Sequence, residues 1–257
     1  MVIGSGVMSV HSEKKSSDSD TITLTGMITP DTFFDFHDRL VQSSAKNKTF
    51  VVTESGGGNW ESALALGILI HRHGWDVEVL DVCASSCANF IFTAGKVKYL
   101  HSNALLLFHG GPHQENIMAQ AIEADRVAAA NNEPAAAKDP GHTRMEGHVV
   151  IDDKGALRLK VQEFLSITNV TSGVDLVTRL RNASDRFYEE LGVNILLPTY
   201  GQVGKYEPIY QSYKYGGFIY RLDSLRRLGV GNIEVKGGEW HPERHRDYRD
   251  LYEVTYP

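Results

Sequence analysis

Polar and apolar residues alternate along TITLTG, residues 21–26, and β-branched side chains dominate it, so the stretch predicts a strand. The period then changes. In TPDTFFDFHDRLVQ, residues 29–42, Phe33, Phe34, Phe36 and Leu40 supply the apolar side of a helix that Thr29 can cap and whose first position suits Pro30. KTFVVTE (48–54) predicts a second strand running into a glycine triplet, and NWESALALGILIHRHG (59–74) a helix stopped by Gly74. DVEVLDV (76–82) predicts a third strand, residues 86–94 a short buried helix ended by Gly95, and KVKYL (96–100) and ALLLFHG (104–110) two further strands. Strands alternating with helices of this length imply crossover connections and a mostly parallel sheet, an α/β fold.

Beyond His109 the regularity is lost. Residues 114–131 predict a helix, 132–147 an exposed excursion, and 148–161 either a hairpin about Asp-Lys-Gly or the entry to a helix. Residues 171–192 predict a long helix capped by Thr171 or Ser172, and NILLPTYG (194–201) a partly extended segment. Residues 218–235 read as strand, helix, strand. From Lys236 onward the chain is charged and aromatic without an apolar period, which suggests a tail lying on a surface or on a partner chain.

Composition changes this picture little. The 257 residues are 42% hydrophobic and 23% charged, ordinary for a globular chain, and allow one large domain or one domain with an appendage. A net charge of −6, without a run of Lys or Arg, argues against nucleic-acid binding, and no apolar run is long enough to span a bilayer. Residues 1–20 lack the basic cluster and unbroken apolar core of a signal peptide and are expected to be a disordered leader. That favours a cytoplasmic protein; an exported form whose signal has been removed is the alternative. The chain's two cysteines, Cys83 and Cys87, are close enough to bridge across a turn, or pack as two small buried thiols. A disulfide would imply an oxidising compartment.

Three places can carry chemistry. The first is SGGGN, residues 55–59, between a strand and a helix, where glycines free backbone N–H groups to face a ligand. It is a poor phosphate loop, since Glu61 stands where GxGxxG needs glycine; a tight turn or an oxyanion-binding turn remain. The second is Ser85-Ser86, where a strand gives way to a helix: an ordinary cap, or a hydroxyl at the positive end of the helix. The third is His109, at the end of the apolar ALLLF, where open α/β sheets gather their sites; a core or rim histidine is the plainer reading. Among the other histidines, His71 and His73 do not share a helix face, and His241 and His245 have Pro242 between them and lack an evident third ligand. No metal site and no cofactor are expected.

Taken together, Ser55-Gly56-Gly57-Gly58 before a helix, Ser86 followed nine residues later by Gly95, and Asn103 to His109 in NALLLFH resemble the Clp protease proteolytic subunit and its relatives in the Clp/crotonase superfamily. The nearest look is to small, often exported Clp-like proteins with a cysteine on each side of the serine. The resemblance covers residues 21–110, with a fainter echo at 218–235. It implies a spiral of β-β-α units spanning 21–235, with an expanded handle region at about 113–215, and leaves 236–257 as a C-terminal tail. It also implies that Ser86 is a nucleophile, His109 its general base, and the N–H groups of Gly57 and Cys87 an oxyanion hole, the constellation of a serine peptidase.

The sequence departs from the family at the acid of the triad. The family places it just before a Phe-x-Ser-like segment; here that segment reads Gly216-Gly217-Phe218-Ile219, with Gly216 in the acid's place. Three expectations follow: a serine hydrolase cutting peptide or protein substrates, a degenerate member that binds peptides or partners in the same groove, and an acyl-CoA enzyme of the crotonase branch. The last lacks a counterpart of that branch's carboxylate. The family's assemblies imply a homo-oligomer.

Overall fold

The alternating stretches form parallel strands. The structure is a computed structural model that describes residues 18–131, 165 and 170–257. Along the chain come β1 (Ser19–Thr25), α1 (Pro30–Gln42), β2 (Asn47–Ser55), α2 (Trp60–Arg72) and β3 (Asp76–Ala84). A π-helix (Cys87–Phe92) follows, then β4 (Lys98–His101), β5 (Leu105–Leu107) and α3 (Glu115–Ala130). After α4 (Gly173–Leu191) and the short α5 (Glu207–Gln211) come β6 (Gly217–Tyr220), α6 (Leu222–Arg227), β7 (Ile233–Lys236) and β8 (Leu251–Val254).

The main sheet has the order β1-β2-β3-β4-β7, every pair parallel. β3 is shared along one edge by two strands. Its first half pairs Val77, Glu78 and Val79 with β4, and its second half pairs Val82, Cys83 and Ala84 with Leu105, Leu106 and Leu107 of β5. The sequence's α/β, mostly parallel expectation holds.

Local chemistry sets the element ends. The Thr29 hydroxyl accepts from the Thr32 N–H, and the Thr32 hydroxyl accepts from the Thr29 N–H, a reciprocal cap at the head of α1. The Asn59 side chain caps α2 by accepting from the Ser62 N–H at 2.9 Å. Gly74 ends that helix region in a left-handed conformation, φ +65°. Phe33, Phe36 and Leu40 of α1 and nearly every apolar residue of α2 are buried, with α2 packed against α1 and the π-helix. Trp75 is fully buried, and its indole N–H donates to the Leu40 carbonyl at 3.0 Å.

Two expectations need correction. NILLPTYG is a series of tight turns: the N–H groups of Leu197, Thr199 and Tyr200 donate back to Asn194 and Leu196 carbonyls, which closes the backbone on itself. The segment from Lys236 is also more than a tail. β8 pairs in parallel with β6, and the buried Trp240 donates its indole N–H to the Ala104 carbonyl at 2.7 Å. Its apolar residues anchor one short segment at a time, so they never make a period.

The chain divides into two units, one formed by Met1–Gly111 with Tyr188–Pro257 and the other by Pro112–Phe187. The expected handle region, 113–215, is thus split, its later part belonging with the main sheet. Within the second unit, Asp125 of α3 accepts from the N–H groups of Gly173 and Val174 at 2.7 and 3.0 Å, capping α4. In the same unit, His113 Nε2 lies 2.5 Å from Asp185 Oδ1, and Arg181 donates to the carbonyls of Pro112 and Gln114. The expected features at 132–147 and 148–161, and the leader through residue 17, lie outside the described residues. β1 begins at Ser19, before the expected boundary at residue 21. No helix among the described residues is long and apolar enough to cross a membrane.

Candidate active site

The three sequence motifs all follow strands at one end of the parallel sheet, the end where such sheets gather ligands. β2 ends at Ser55, which pairs with Cys83 near the end of β3. The last pair of β3 and β5 is Ala84 with Leu107. Ser86 and His109 therefore each stand two residues past the same rung of the ladder.

The serine turn is held in a backbone conformation that a serine rarely takes. Ser85 is left-handed, φ +57°, which costs about 1–2 kcal/mol for a residue with a Cβ. Its N–H continues the ladder by donating to the Leu107 carbonyl at 2.9 Å, and its carbonyl accepts from the Asn89 N–H at 2.8 Å. The chain thus leaves β3 through one reversed residue and enters the helix at once. Ser86 sits at its start, φ −59° and ψ −25°, with its side chain buried. Single π-turns inside helices are frequent at functional sites. Cys83 and Cys87 are joined in a disulfide with a Cα–Cα distance of 5.3 Å. The bond ties the last turn of the strand to the first residue of the π-helix, bracketing both serines.

The glycine turn fits against the serine turn closely enough to demand glycine. Gly57 has φ +86°, and a Cβ there would lie 2.6 Å from the Ala84 carbonyl oxygen, 2.7 Å from Ser85 Cβ and 2.9 Å from the Ser86 nitrogen. A Cβ on Gly58, φ +144°, would collide with the Ile28 carbonyl at 2.1 Å. The turn is fixed from the other side by the Ile28 N–H donating to the Gly57 carbonyl at 2.7 Å and the Asn59 N–H donating to the Ile28 carbonyl at 2.8 Å. So Gly57, Ser86 and Cys87 share one small region.

Two groups with expected catalytic roles are satisfied inside the protein. The Ser86 hydroxyl donates to the Gly58 carbonyl at 3.1 Å. The Gly57 N–H donates to the Ser55 hydroxyl at 3.2 Å. Attack on a substrate needs the first bond exchanged by rotation about one side-chain bond, and the oxyanion-hole role needs the second exchanged for the oxyanion.

His109 is exposed, and its main chain is held from several directions. The preceding residue, Phe108, exchanges two backbone hydrogen bonds with Phe218, at 2.8 and 2.7 Å, and their rings stack with centroids 6.0 Å apart. A Cβ on Gly217 would lie 2.6 Å from the Phe108 carbonyl oxygen and 3.2 Å from His109 Cβ. The late Gly216-Gly217-Phe218 segment therefore packs against the end of the histidine's strand. Gly216 is exposed and donates its N–H to the Asp250 carbonyl at 2.8 Å.

Sequence reasoning missed several supports. Asn89 and Gln202, both buried, donate side-chain amides to the Gly110 and His109 carbonyls, at 3.0 and 2.7 Å. His245, from the supposed tail, accepts the Asp247 N–H on Nδ1 at 3.2 Å, so its Nε2 carries the proton toward Asp81 Oδ1, 2.8 Å away. Arg246 reaches the other Asp81 oxygen at 3.1 Å and Glu54 at 3.4 Å, which binds the tail to the ends of β2 and β3. Beneath Phe218, Tyr220 and Tyr252 donate to the Leu197 and Gly201 carbonyls. Burial, followed by neighbouring tyrosines, holds the Tyr252 hydroxyl at about 12 and moves Tyr220 upward as well, so both stay protonated donors. Among the described residues, no group of three or more His, Cys, Asp or Glu side chains is placed to hold a metal ion. Comparisons with protein-family models and with curated proteins find no match for the chain.

Proposed function

We propose that the chain is a serine hydrolase of the Clp-protease-like type that acts on peptide bonds, built on a Clp/crotonase-like spiral and working as a homo-oligomer. The observation that carries this reading is the left-handed Ser85 turn, which sets Ser86 at a helix start with the Gly57 turn packed against it. Non-glycine backbone outliers gather at active sites, where the surrounding fold holds them in place. The sharing of β3 by β4 and β5 supports the β-β-α spiral.

In this reading Ser86 Oγ attacks the peptide carbonyl carbon, and its proton passes to His109. The new oxyanion takes hydrogen bonds from the N–H groups of Gly57 and Cys87, the loss of either costing about 2.7–4 kcal/mol. Collapse breaks the C–N bond, and the leaving amine takes the proton from His109. Water then attacks the acyl-serine by the same route reversed. The helix start favours the developing negative charge. Glycine at 216 leaves the acid's place empty of a carboxylate, so catalysis is expected to be slow; by analogy with serine proteases, a wrongly held histidine tautomer costs about 10⁴ in rate.

Turnover of a fluorogenic peptide mixture tests this. Hydrolysis that disappears in both Ser86→Ala and His109→Ala supports it; hydrolysis that survives in Ser86→Ala removes it. A second reading, a peptide-binding member without catalysis, is favoured by the internal hydrogen bonds of Ser86 and Gly57. It expects peptide binding, without turnover, that Ser86→Ala leaves intact.

A further inference from the structure

The loop that leaves His109 is gripped by two buried amides. Gln202 donates Nε2 to the His109 carbonyl at 2.7 Å, and Asn89 donates Nδ2 to the Gly110 carbonyl at 3.0 Å. These are consecutive carbonyls. Asn89 and Gln202 are only 3% and 6% exposed, in a region where a polar side chain is costly unless it is bonded. The grip is tightened by shape. A Cβ on Gly111 would lie 2.4 Å from Pro198 Cβ and 3.6 Å from Asn89 Nδ2, so the two-glycine loop threads between them.

Asn89 bears the clearer mark of a task. Its Oδ1 is buried without a hydrogen-bond partner among the described residues. A side chain kept for stability alone would be better replaced there by an apolar residue of the same size, since an unmatched buried acceptor opposes folding. What the amide supplies is its donor side, spent on the residue after His109. Asn89 also belongs to the serine's own helix: its N–H donates to the Ser85 carbonyl at 2.8 Å, and its carbonyl accepts from Thr93 Oγ1 at 2.6 Å and the Tyr188 hydroxyl at 3.2 Å. One residue therefore connects the reversed serine turn to the histidine loop.

We propose that Asn89 and Gln202 are paired positioning residues that hold the His109 backbone in register with the Ser86 helix. This rests on reading Ser86 and His109 as nucleophile and base. Two measurements on the full chain test it: the rate at which a fluorophosphonate labels Ser86, and hydrogen exchange at the amides of residues 109–111. Asn89→Ala and the volume-conserving Gln202→Met should each slow labelling by about 100-fold, the scale of a misplacement near 1 Å, and should raise exchange at the loop. Because both act through one loop, the double variant should lose little more than either single one. Tyr188→Phe, which removes the bond to the Asn89 carbonyl and leaves both side-chain amides in place, should change neither readout. Labelling at the wild-type rate in Gln202→Met, fully multiplicative losses, or unchanged loop exchange would overturn the proposal. If the wild type is not labelled at all, the serine-hydrolase reading fails, and loop exchange still decides whether the two amides hold the backbone.

Discussion

Gly57→Ala tests the close fit between the glycine turn and the serine turn. The added methyl meets two separate obstacles. The first is conformational: φ is +86°, and an L side chain in a left-handed conformation costs about 1–2 kcal/mol. The second is steric. The methyl would sit 2.6 Å from the Ala84 carbonyl oxygen, 2.7 Å from Ser85 Cβ and 2.9 Å from the Ser86 nitrogen. Two of those atoms are backbone and cannot rotate away, and overpacking of this kind typically costs about 1–3 kcal/mol. The sum is roughly 2–5 kcal/mol, a large share of the 5–15 kcal/mol that holds a typical domain together. Gly74→Ala provides the control. Gly74 also has positive φ, +65°, but a Cβ there would meet nothing within 4 Å, so only the first cost of about 1–2 kcal/mol applies. Urea unfolding of both variants, followed by tryptophan fluorescence, isolates the steric part as the difference between them. Equal destabilisation would show that the two turns are not in contact, and the candidate site would lose its oxyanion-binding half.

Three further predictions follow from other parts of the fold. Burial lowers the Lys98 amine from 10.5 to about 8, although it donates to the Gly95 carbonyl at 2.7 Å. The unfolded chain then holds that proton more tightly than the folded one, so the cost, roughly 3 kcal/mol, is fully present below pH 8 and fades as pH rises toward 10.5. Lys98→Met should therefore be the more stable protein at pH 7, with an advantage that shrinks by about 2 kcal/mol by pH 10; an advantage that does not vary with pH would contradict this. The Cys83–Cys87 bond closes a loop with a sequence separation of only 4, so the double alanine variant should lose about 2 kcal/mol in denaturant titrations, and unchanged stability would count against its role in holding the serine turn. Gly217→Ala, whose methyl would press on the Phe108 carbonyl at 2.6 Å, should lose about 1–3 kcal/mol. Gly216→Ala, with nothing nearer than the Asp250 carbonyl at 3.9 Å, should be close to wild type in the same melts, and equal losses would refute the contact with the histidine strand.

Up to residue 110 the sequence was legible because each element carries its own signal. Thr29 and Pro30 announce α1, and the glycine triplet and Gly74 bound α2. The apolar run 104–108 needed no partner to be read as a strand. The candidate site was legible for the same reason, since Gly57, Ser86 and His109 each follow a strand directly. What sequence could not supply was pairing at long range. The partition of β3 between β4 and β5 depends on where two short strands meet a third. β8 pairs with β6 across a gap that holds α6 and β7, and its four residues are too few to show a period. The Asn89 and Gln202 contacts join a helix, a loop and a single 3₁₀ turn, and an isolated buried amide leaves no mark in the hydrophobic pattern. Ser85 did carry a usable hint: between two serines at a strand-to-helix junction, one must take the turn and the other open the helix.

The proposed function requires Ser86 to be a nucleophile activated by His109. Intact-mass and peptide-mapping analysis after fluorophosphonate treatment at neutral pH measures this directly, in the wild type, Ser85→Ala, Ser86→Ala and His109→Ala. One adduct is expected, mapped to Ser86, retained in Ser85→Ala, absent from Ser86→Ala and formed far more slowly in His109→Ala. An adduct on Ser85, or a rate indifferent to His109, would contradict it.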